Sequence, residues 1–281
     1  MAGMALSPSD GLDWLIDEIG NGGVAVLCGA GLSTDSGIPD YRGPNSRPRR
    51  QITLQEFSRS AEFRQRYWAR SYVGFAKFEV AGPNEGHRAL ARLQHGGYVG
   101  GIITQNVDGL QQEAGSVGVI DLHGRIDEVI CLDCRQATAR SVLQERLAAA
   151  NPGFLEDHDG VIAPDGDADI ADTTGFHVVP CLNCGGRLKP HVVMFGETVA
   201  PEKVQACYTV VDAAEMLLVV GSSLQVQSGL RFVRRAHGSK PVAIINRGAT
   251  RGDRLADLRL DAGVSQTLTA IAESLCRAEA H

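Results

Sequence analysis

Cys28-Gly29-Ala30-Gly31-Leu32-Ser33-Thr34-Asp35-Ser36-Gly37-Ile38-Pro39-Asp40-Tyr41-Arg42-Gly43 follows the apolar run Val24-Ala25-Val26-Leu27. A buried strand that empties into a glycine-rich turn is the local pattern of a phosphate site. Gly29 and Gly31 have no Cβ, so the chain there can take positive φ and a ligand can come against the backbone. A helix starting at about Leu32 or Ser33 is expected to aim its free N–H groups and positive dipole end at a pyrophosphate. The match to the dinucleotide fingerprint is partial. Gly29-x-Gly31-x-x-Thr34 supplies two of its three glycines, and no strand ending in Asp or Glu stands at the usual distance to hold an adenine ribose. The bland alternative is a tight turn and a solvated loop. Against it stands Ser36-Gly37-Ile38-Pro39-Asp40-Tyr41-Arg42, too polar and broken for core and too particular for a linker.

The same strand-then-polar pattern recurs along the chain. Ile102-Ile103-Thr104 runs into Gln105-Asn106-Val107-Asp108-Gly109, and Val119 to Leu122 runs into His123-Gly124. Met216 to Val220 precedes Gly221-Ser222-Ser223, and Val242 to Ile245 precedes Asn246-Arg247-Gly248. Apolar strands without polar alternation are buried on both faces, hence parallel and covered by helices. In such sheets the ligand lies across the carboxyl ends of the strands. The pattern therefore predicts an α/β protein whose polar strand tips converge on one cleft.

Helical spacing marks Asp10 to Ile19, with Asp10 as expected N-cap and Asn21-Gly22-Gly23 as stop. Thr53 to Phe78 reads as mostly helical and aromatic-rich, and Asn84 to Gln94 as a further helix. Two regions interrupt the βα rhythm, about 44–82 and about 125–190. They are read as inserts that pack together as a small domain, leaving 1–43, 83–124 and 191–281 as the large one. Asp157 to Asp172 reads as a solvated loop of the small domain.

The 281 residues are 43% hydrophobic and 21% charged with a net charge of -6, an ordinary globular composition that gives no support to a nucleic-acid surface. Arg47, Arg49 and Arg50 form the tight basic cluster, read as a mobile loop near a cofactor. No apolar run reaches the roughly 18 residues of a membrane span. Met1 to Asp10 carries no secretory pattern, so the chain is expected to be cytoplasmic.

Four of the seven cysteines form Cys131-x-x-Cys134 and Cys181-x-x-Cys184. Two knuckles of this spacing complete a tetrahedral zinc shell with every position filled by protein, which makes the metal structural rather than catalytic. Gly185-Gly186 suits the second turn. Cys28, Cys207 and Cys276 are read as small buried hydrophobes. His123, at a strand end beside Gly124, is the candidate base, with His191 as rival; an imidazole is suited to taking a proton from a sugar hydroxyl. Asn106 and Asp108 are two apart, so in an extended segment they point the same way, and with Gln105 they are expected to contact ribose hydroxyls and a carboxamide rather than serve only as turn residues.

Taken in order, Gly29-Ala30-Gly31-x-Ser33-x-x-Ser36-Gly37-Ile38-Pro39-Asp40-Tyr41-Arg42, Thr104-Gln105-Asn106-Val107-Asp108, His123-Gly124, the two cysteine pairs, Lys189-Pro190-x-Val192-Val193-x-Phe195-Gly196-Glu197 and Gly221-Ser222-Ser223-Leu224 resemble the sirtuin family nearly end to end. Arg66-Tyr67-Trp68-Ala69-Arg70, Cys131-Leu132-Asp133-Cys134, Ala163-Pro164-Asp165-Gly166-Asp167 and Gly221-Ser222-Ser223-Leu224-Gln225-Val226 are similar to its class II branch, typified by a mitochondrial member. The resemblance implies a Rossmann-like parallel sheet with helices on both faces, plus a small domain of a zinc ribbon (125–190) and a helical module (44–82). It implies an NAD-dependent protein-lysine deacylase that acts on acylated lysine in protein substrates.

By the same likeness Ala30, Gly31 and Arg42 surround the pyrophosphate and neighbouring ribose, Gln105, Asn106 and Asp108 hold the nicotinamide ribose and carboxamide with Ile38 nearby, and Gly29, Ser33, Pro39, Asp40, Tyr41 and Val107 belong to the same cofactor-binding set. Ser222 and Asn246 hold the adenosine half, the Asn246-Arg247-Gly248 segment and Val264 lie at the adenine end, and Gly221 and Ser223 complete the cofactor-binding set. His123 is implied as general base, with Asn106 and Asp108 beside it in the catalytic set. Val193, Phe195 and Gly196 pair with the acylated peptide as an added strand. The implied chemistry is attack of the acyl oxygen on C1′ with loss of nicotinamide, deprotonation of a ribose hydroxyl by His123, and release of lysine and O-acyl-ADP-ribose. Consumption of NAD also accounts for the absent third glycine. The class II likeness keeps an alternative, transfer of ADP-ribose to a protein side chain in the same cleft. Tyr67-x-x-Arg70 resembles a pair that binds acidic acyl groups in another branch, and reads equally as a core Tyr with a surface Arg.

Overall fold

The computed structural model describes residues 8–42, 51–158 and 160–276. The elements among them are α1 (Pro8–Gly20), β1 (Val24–Cys28), α2 (Leu54–Arg59), α3 (Ala61–Phe78), α4 (Glu85–His95), β2 (Val99–Thr104), α5 (Leu110–Glu113), β3 (Ile120–Asp121), β4 (Gly124–Cys131), β5 (Ala137–Ala139), α6 (Arg140–Ala150), α7 (Phe154–Asp157), β6 (Leu188–Val192), α8 (Pro201–Ala213), β7 (Met216–Val220), α9 (Gln227–Ala236), β8 (Val242–Ile245), β9 (Leu258–Leu260) and α10 (Val264–Cys276). The basic cluster Arg47, Arg49 and Arg50 and the residues before Pro8 lie outside the described residues.

Among the described residues six strands form an all-parallel sheet in the order β3-β2-β1-β7-β8-β9. β1, β7 and β8 are buried at every position, which is why their sequences show no polar alternation. Their side chains alternate between two cores. Val24, Val26 and Cys28 pack with Leu15 and Ile19 of α1, Leu90 of α4 and Leu268 of α10. Ala25 and Leu27 pack with Val204 and Cys207 of α8 and Phe232 of α9. From β1 the chain builds the sheet outward one way to β3, then returns to β7 and builds the other way. Such a reversal opens a crevice between the two central strands, at their carboxyl ends.

In the parallel-sheet domain the structure differs from the expectations in several places. The first helix begins at Pro8, so Asp10 lies in its first turn and is not the cap. The glycine turn leads into two 3-10 turns, Ala30–Leu32 and Thr34–Ser36, and not into an α-helix. Gly37 at φ +84 ends them, and Pro39 biases Ile38 away from helical geometry. A sixth strand, β9, escaped notice because its Leu258-Arg259-Leu260 is three residues with an exposed charge at the centre.

The second sheet is antiparallel, β5-β4-β6. β4 starts directly after His123, and β6 runs through 190, the boundary expected from sequence. The aromatics of α2 and α3, Phe57, Tyr67, Trp68 and Tyr72, share a core with Val129, Cys131 and Leu188 of this sheet and Leu143 of α6. Arg140, fully buried, ties α6 to α3. Its guanidinium lies 4.9 Å from the Trp68 ring centroid and 4.7 Å from that of Phe75, and donates to the Ser71 hydroxyl and carbonyl at 3.1 Å each. Burial pulls that guanidinium down to about 10.

The segment Asp157 to Asp172 is not a solvated loop. Ile162 bridges Ala168, and Ala163, Asp167, Ala168 and Ile170 are buried. Ala168 N–H donates to the Arg70 carbonyl at 3.0 Å and Arg70 Nε donates back to the Ala168 carbonyl at 3.1 Å. Gly74 on α3 makes this docking possible, since a Cβ there would stand 2.2 Å from the Gly166 carbonyl oxygen.

Candidate functional site

The carboxyl ends of the parallel strands border a cavity of about 690 Å³, the size of a small-molecule or cofactor site. At its floor the turns after β1 and β7 interlock. Gly31 N–H donates to the Gly221 carbonyl at 2.8 Å, and a Cβ on Gly29 would meet that same oxygen at 2.7 Å. Gly221 sits at φ +63, with its missing Cβ 2.4 Å from Leu32 N. Both the angle and the space demand glycine. Gly221→Ala should cost about 2 kcal/mol or more and open the floor; thermal melting together with NAD titration checks this, and an unchanged melt with unchanged affinity counts against the interlock.

Above the floor lies a hydrogen-bonded cluster. Asn106 Nδ2 donates to the Gly29 carbonyl at 3.1 Å and to Ser33 Oγ at 3.0 Å, and the Ser33 hydroxyl donates to Asp108 Oδ2 at 2.7 Å. Ser222 Oγ donates to Gln105 Oε1 at 2.6 Å. Burial holds the Asp108 carboxyl above the usual range, although the Ser33 hydroxyl and the Leu110 N–H oppose it. Behind Ser33 stands His87, pushed by burial to about 4. Its Nδ1 accepts from Asn84 N–H at 3.2 Å, so the proton of the neutral ring is on Nε2, 3.5 Å from Ser33 Oγ. Asn246, buried at the tip of β8, braces its own turn through Nδ2 to the carbonyls of Arg247 at 2.8 Å and Gly248 at 3.1 Å.

His123 is half-buried at the mouth. Its Nδ1 lies 2.9 Å from the Gln105 carbonyl and its Nε2 lies 2.9 Å from Ser228 Oγ. A carbonyl only accepts, so Nδ1 carries the proton and Nε2 the lone pair. Burial pushes the imidazole down, with the Gln105 carbonyl opposing and Lys203 adding to the fall, which favours the neutral, proton-accepting ring. The rival His191 is exposed, with Nδ1 2.7 Å from Glu128 Oε2.

Every cofactor residue expected from sequence lines the cavity except Pro39 and Val264. Val264 is turned into the core at the start of α10. Val193, Phe195 and Gly196 form the outer lip. Val193 N–H donates to the His123 carbonyl at 2.7 Å and the Phe195 carbonyl accepts from Leu54 N–H at 2.9 Å, so an added strand must use the groups these bonds leave. Lys189, buried, donates to the Val192 carbonyl and to Glu197 Oε2 at 2.9 Å, and Glu197 Oε2 also accepts from Met194 N–H at 2.9 Å. This ion pair fixes the curve of the lip.

Sequence reasoning missed part of the wall. Pro164, Asp165 and Asp167 reach the cavity from the small module, beside the Tyr67 that the sequence offers as an acyl-group contact, and Gln227, Ser228 and Arg231 reach it from α9. The docked 160–170 segment was hidden by its acidic, glycine-containing composition. Tyr67 is buried and in the wall, whereas Arg70 is spent on the Ala168 carbonyl and is not part of the lining.

The four cysteines converge at one end of the antiparallel sheet, their sulfurs all within 4.8 Å of one another. The Cys131–Cys184 pair is at 3.6 Å and the Cys134–Cys181 pair at 3.8 Å, matching the edge of about 3.8 Å in a tetrahedron of Zn–S bonds. Each knuckle closes through a residue at positive φ, Arg135 at +63 and Gly185 at +72, whose N–H donates to the first cysteine's carbonyl. Four thiols with no open position fit a structural zinc.

This topology and this cleft define a Rossmann-type dinucleotide-binding protein that carries a closed four-cysteine zinc module. A model of the Sir2 family matches residues 29–228. "NAD-dependent protein deacetylase 1" of Mycobacterium avium (strain 104) is 51% identical over 263 residues, covering 92% of this chain and 93% of the relative. Human "NAD-dependent protein lipoamidase sirtuin-4, mitochondrial" is 47% identical over 254 residues, covering 88% of this chain and 81% of the relative. A solved structure described as "Sir2-p53 peptide-NAD+" superposes with a TM-score of 0.72 at 28% identity, covering 94% of this chain and 98% of the other. The chain belongs to the Sir2 family, the sirtuins, and its likeness to sirtuin-4 supports the class II branch.

Proposed function

We propose that this chain is an NAD-dependent protein-lysine deacylase whose products are nicotinamide, the freed lysine and O-acyl-ADP-ribose. One observation carries the reading. A neutral imidazole with its lone pair on Nε2 lines the same cavity as the glycine turns and the lip of residues 193–196. When bound, NAD supplies a C1′ electrophile with nicotinamide as leaving group. The interlocked glycine turns hold the pyrophosphate, Ser33 and the tip of β7 hold the riboses, and Asn106 and Asp108 orient the nicotinamide end. His123 takes a ribose hydroxyl proton at Nε2. The acylated lysine arrives on a peptide laid along the 193–196 lip, where main-chain bonds supply affinity.

In this reading 1–43, 83–124 and 191–281 form the NAD-binding domain, 44–82 a helical module and 125–190 a zinc ribbon. Among the described residues no helix is long and apolar enough to cross a membrane. All seven cysteines are free of disulfides, and a reducing cytosol fits them. The alternative, ADP-ribosylation of a protein side chain, is not favoured: the relatives are named deacetylases and lipoamidases.

Mass spectrometry of products from an acyl-peptide panel with NAD tests the proposal. O-acyl-ADP-ribose supports it, whereas an ADP-ribosylated protein, or no product, overturns it. The pH profile gives a second check. The base must be neutral, and burial lowers its pKa, so the ring stays neutral further into acid than an ordinary imidazole. The acid limb of kcat/KM, which reports the free enzyme, should lie below 6.5, the ordinary imidazole value.

A further inference from the structure

Both ring nitrogens of His123 are engaged, and the second partner has no place in the chemistry so far. With Nδ1–H given to the Gln105 carbonyl, the hydroxyl of Ser228 is the donor to Nε2 at 2.9 Å. Ser228 stands in the first turn of α9, half-buried in the cavity wall. Its neighbour sets that position. A Cβ on Gly229 would lie 2.6 Å from Gln105 Nε2 and 2.9 Å from Gln105 Cδ, so α9 reaches the ring because residue 229 has no side chain. One residue, Gln105, thus orients the imidazole through its carbonyl and seats the serine-bearing helix through its amide.

We propose that Ser228 is a positioning residue for the base, holding Nε2 at the point where the ribose hydroxyl must arrive and serving the ring in both of its protonation states. The inference rests on the deacylase reading. A hydroxyl is both donor and acceptor. Toward the neutral ring it donates. When the ribose hydroxyl arrives, the Ser228 O–H rotates off the lone pair, the ribose proton passes to Nε2, and a Ser228 oxygen lone pair accepts from the new N–H. The serine proton stays on Oγ throughout, and the ring ends with a proton on each nitrogen. The charged group that acts on the ring is Lys203 of α8, whose Nζ donates to the Asp121 carbonyl at 2.7 Å. A cation cannot accept the Nε2 proton, and the partner at Nε2 is the neutral Ser228 oxygen.

Ser228→Ala and Ser228→Thr in the whole chain test this. The His123 imidazole is titrated by NMR without ligand, and kcat and KM are measured with NAD and an acylated peptide. In Ser228→Ala the imidazole should titrate at lower pH, because the bond the hydroxyl oxygen accepts from the protonated ring is stronger than the one it donates to the neutral ring, and the acid limb of kcat/KM should move with it. kcat should fall about tenfold, a fraction of a full general-base effect, with KM for NAD within about twofold. Ser228→Thr, which keeps the hydroxyl, should restore both. An Ala variant with unchanged titration and kcat overturns the proposal. So does a raised KM for NAD at unchanged kcat, which makes the serine a cofactor contact, or a Thr variant as impaired as Ala. The titration is read without turnover, so an unaltered chain that makes no product refutes the deacylase reading while NMR still decides the Ser228 contact.

Discussion

His123→Ala should lower kcat by about 10²–10⁴-fold, the range a positioned general base supplies, while NAD still binds. The two outcomes separate because the ring and the cradle belong to different strand tips. His123 follows β3, at one edge of the parallel sheet, whereas the floor of the cavity is made by the turns after β1 and β7 at its centre. Removing the imidazole takes away the Nε2 lone pair and leaves the interlocked glycines in place. It also leaves the Gln105 carbonyl and the Ser228 hydroxyl without their ring partner, a loss of about 1–3 kcal/mol in stability. Nicotinamide release measures turnover and calorimetric titration measures NAD affinity. Full turnover refutes the assignment, and lost NAD binding makes the histidine a cofactor ligand instead of a base. His191→Ala is the control: that ring is exposed against Glu128, and its loss should leave kcat within about twofold.

The parts of the fold legible in the sequence are those where burial acts on consecutive residues. β1, β7 and β8 are apolar throughout because helices cover both faces, and the polar residues after them mark the cleft. Residues placed by contacts distant in sequence left no such trace. β9 is held by pairing to β8, with only two of its three side chains in the core. The 160–170 segment is acidic in composition yet docked, because Gly74, far away on α3, makes room for it. Ser228 is one serine among many until α9 is laid against Gln105. The Ala30–Ser36 stretch carries a helix-start pattern, but Gly37 and Pro39 cut it to single turns, so the floor of the cleft is built from interlocked glycines and not from a helix end.

Removing the zinc should unfold the antiparallel sheet and abolish deacylation, while NAD binding by the parallel sheet persists. Structural zinc contributes roughly 10–16 kcal/mol of apparent binding energy in small modules, comparable to the whole stability of a typical domain. Val129 of β4 and Leu188 of β6 share a core with α2, α3 and α6, whereas the knuckle end rests on the metal: β5 is three exposed residues, and the knuckles at Cys131 and Cys181 are turns with residues at positive φ. The consequence reaches the active site through the backbone. Cys131 on β4 pairs with Leu188 on β6, and β6 runs on to Val192, whose carbonyl accepts from Lys189. Val193 N–H then donates to the carbonyl of His123. A disordered ribbon therefore loosens both the 193–196 lip and His123. Chelation of the intact protein and Cys184→Ser should each lower the melting temperature of the small module and remove acyl-peptide turnover, with NAD affinity, read by calorimetry, changed far less. A metal-free chain that melts unchanged and still turns over overturns the structural role. A chain that loses NAD binding in step with the metal shows instead that the two sheets fold as one unit.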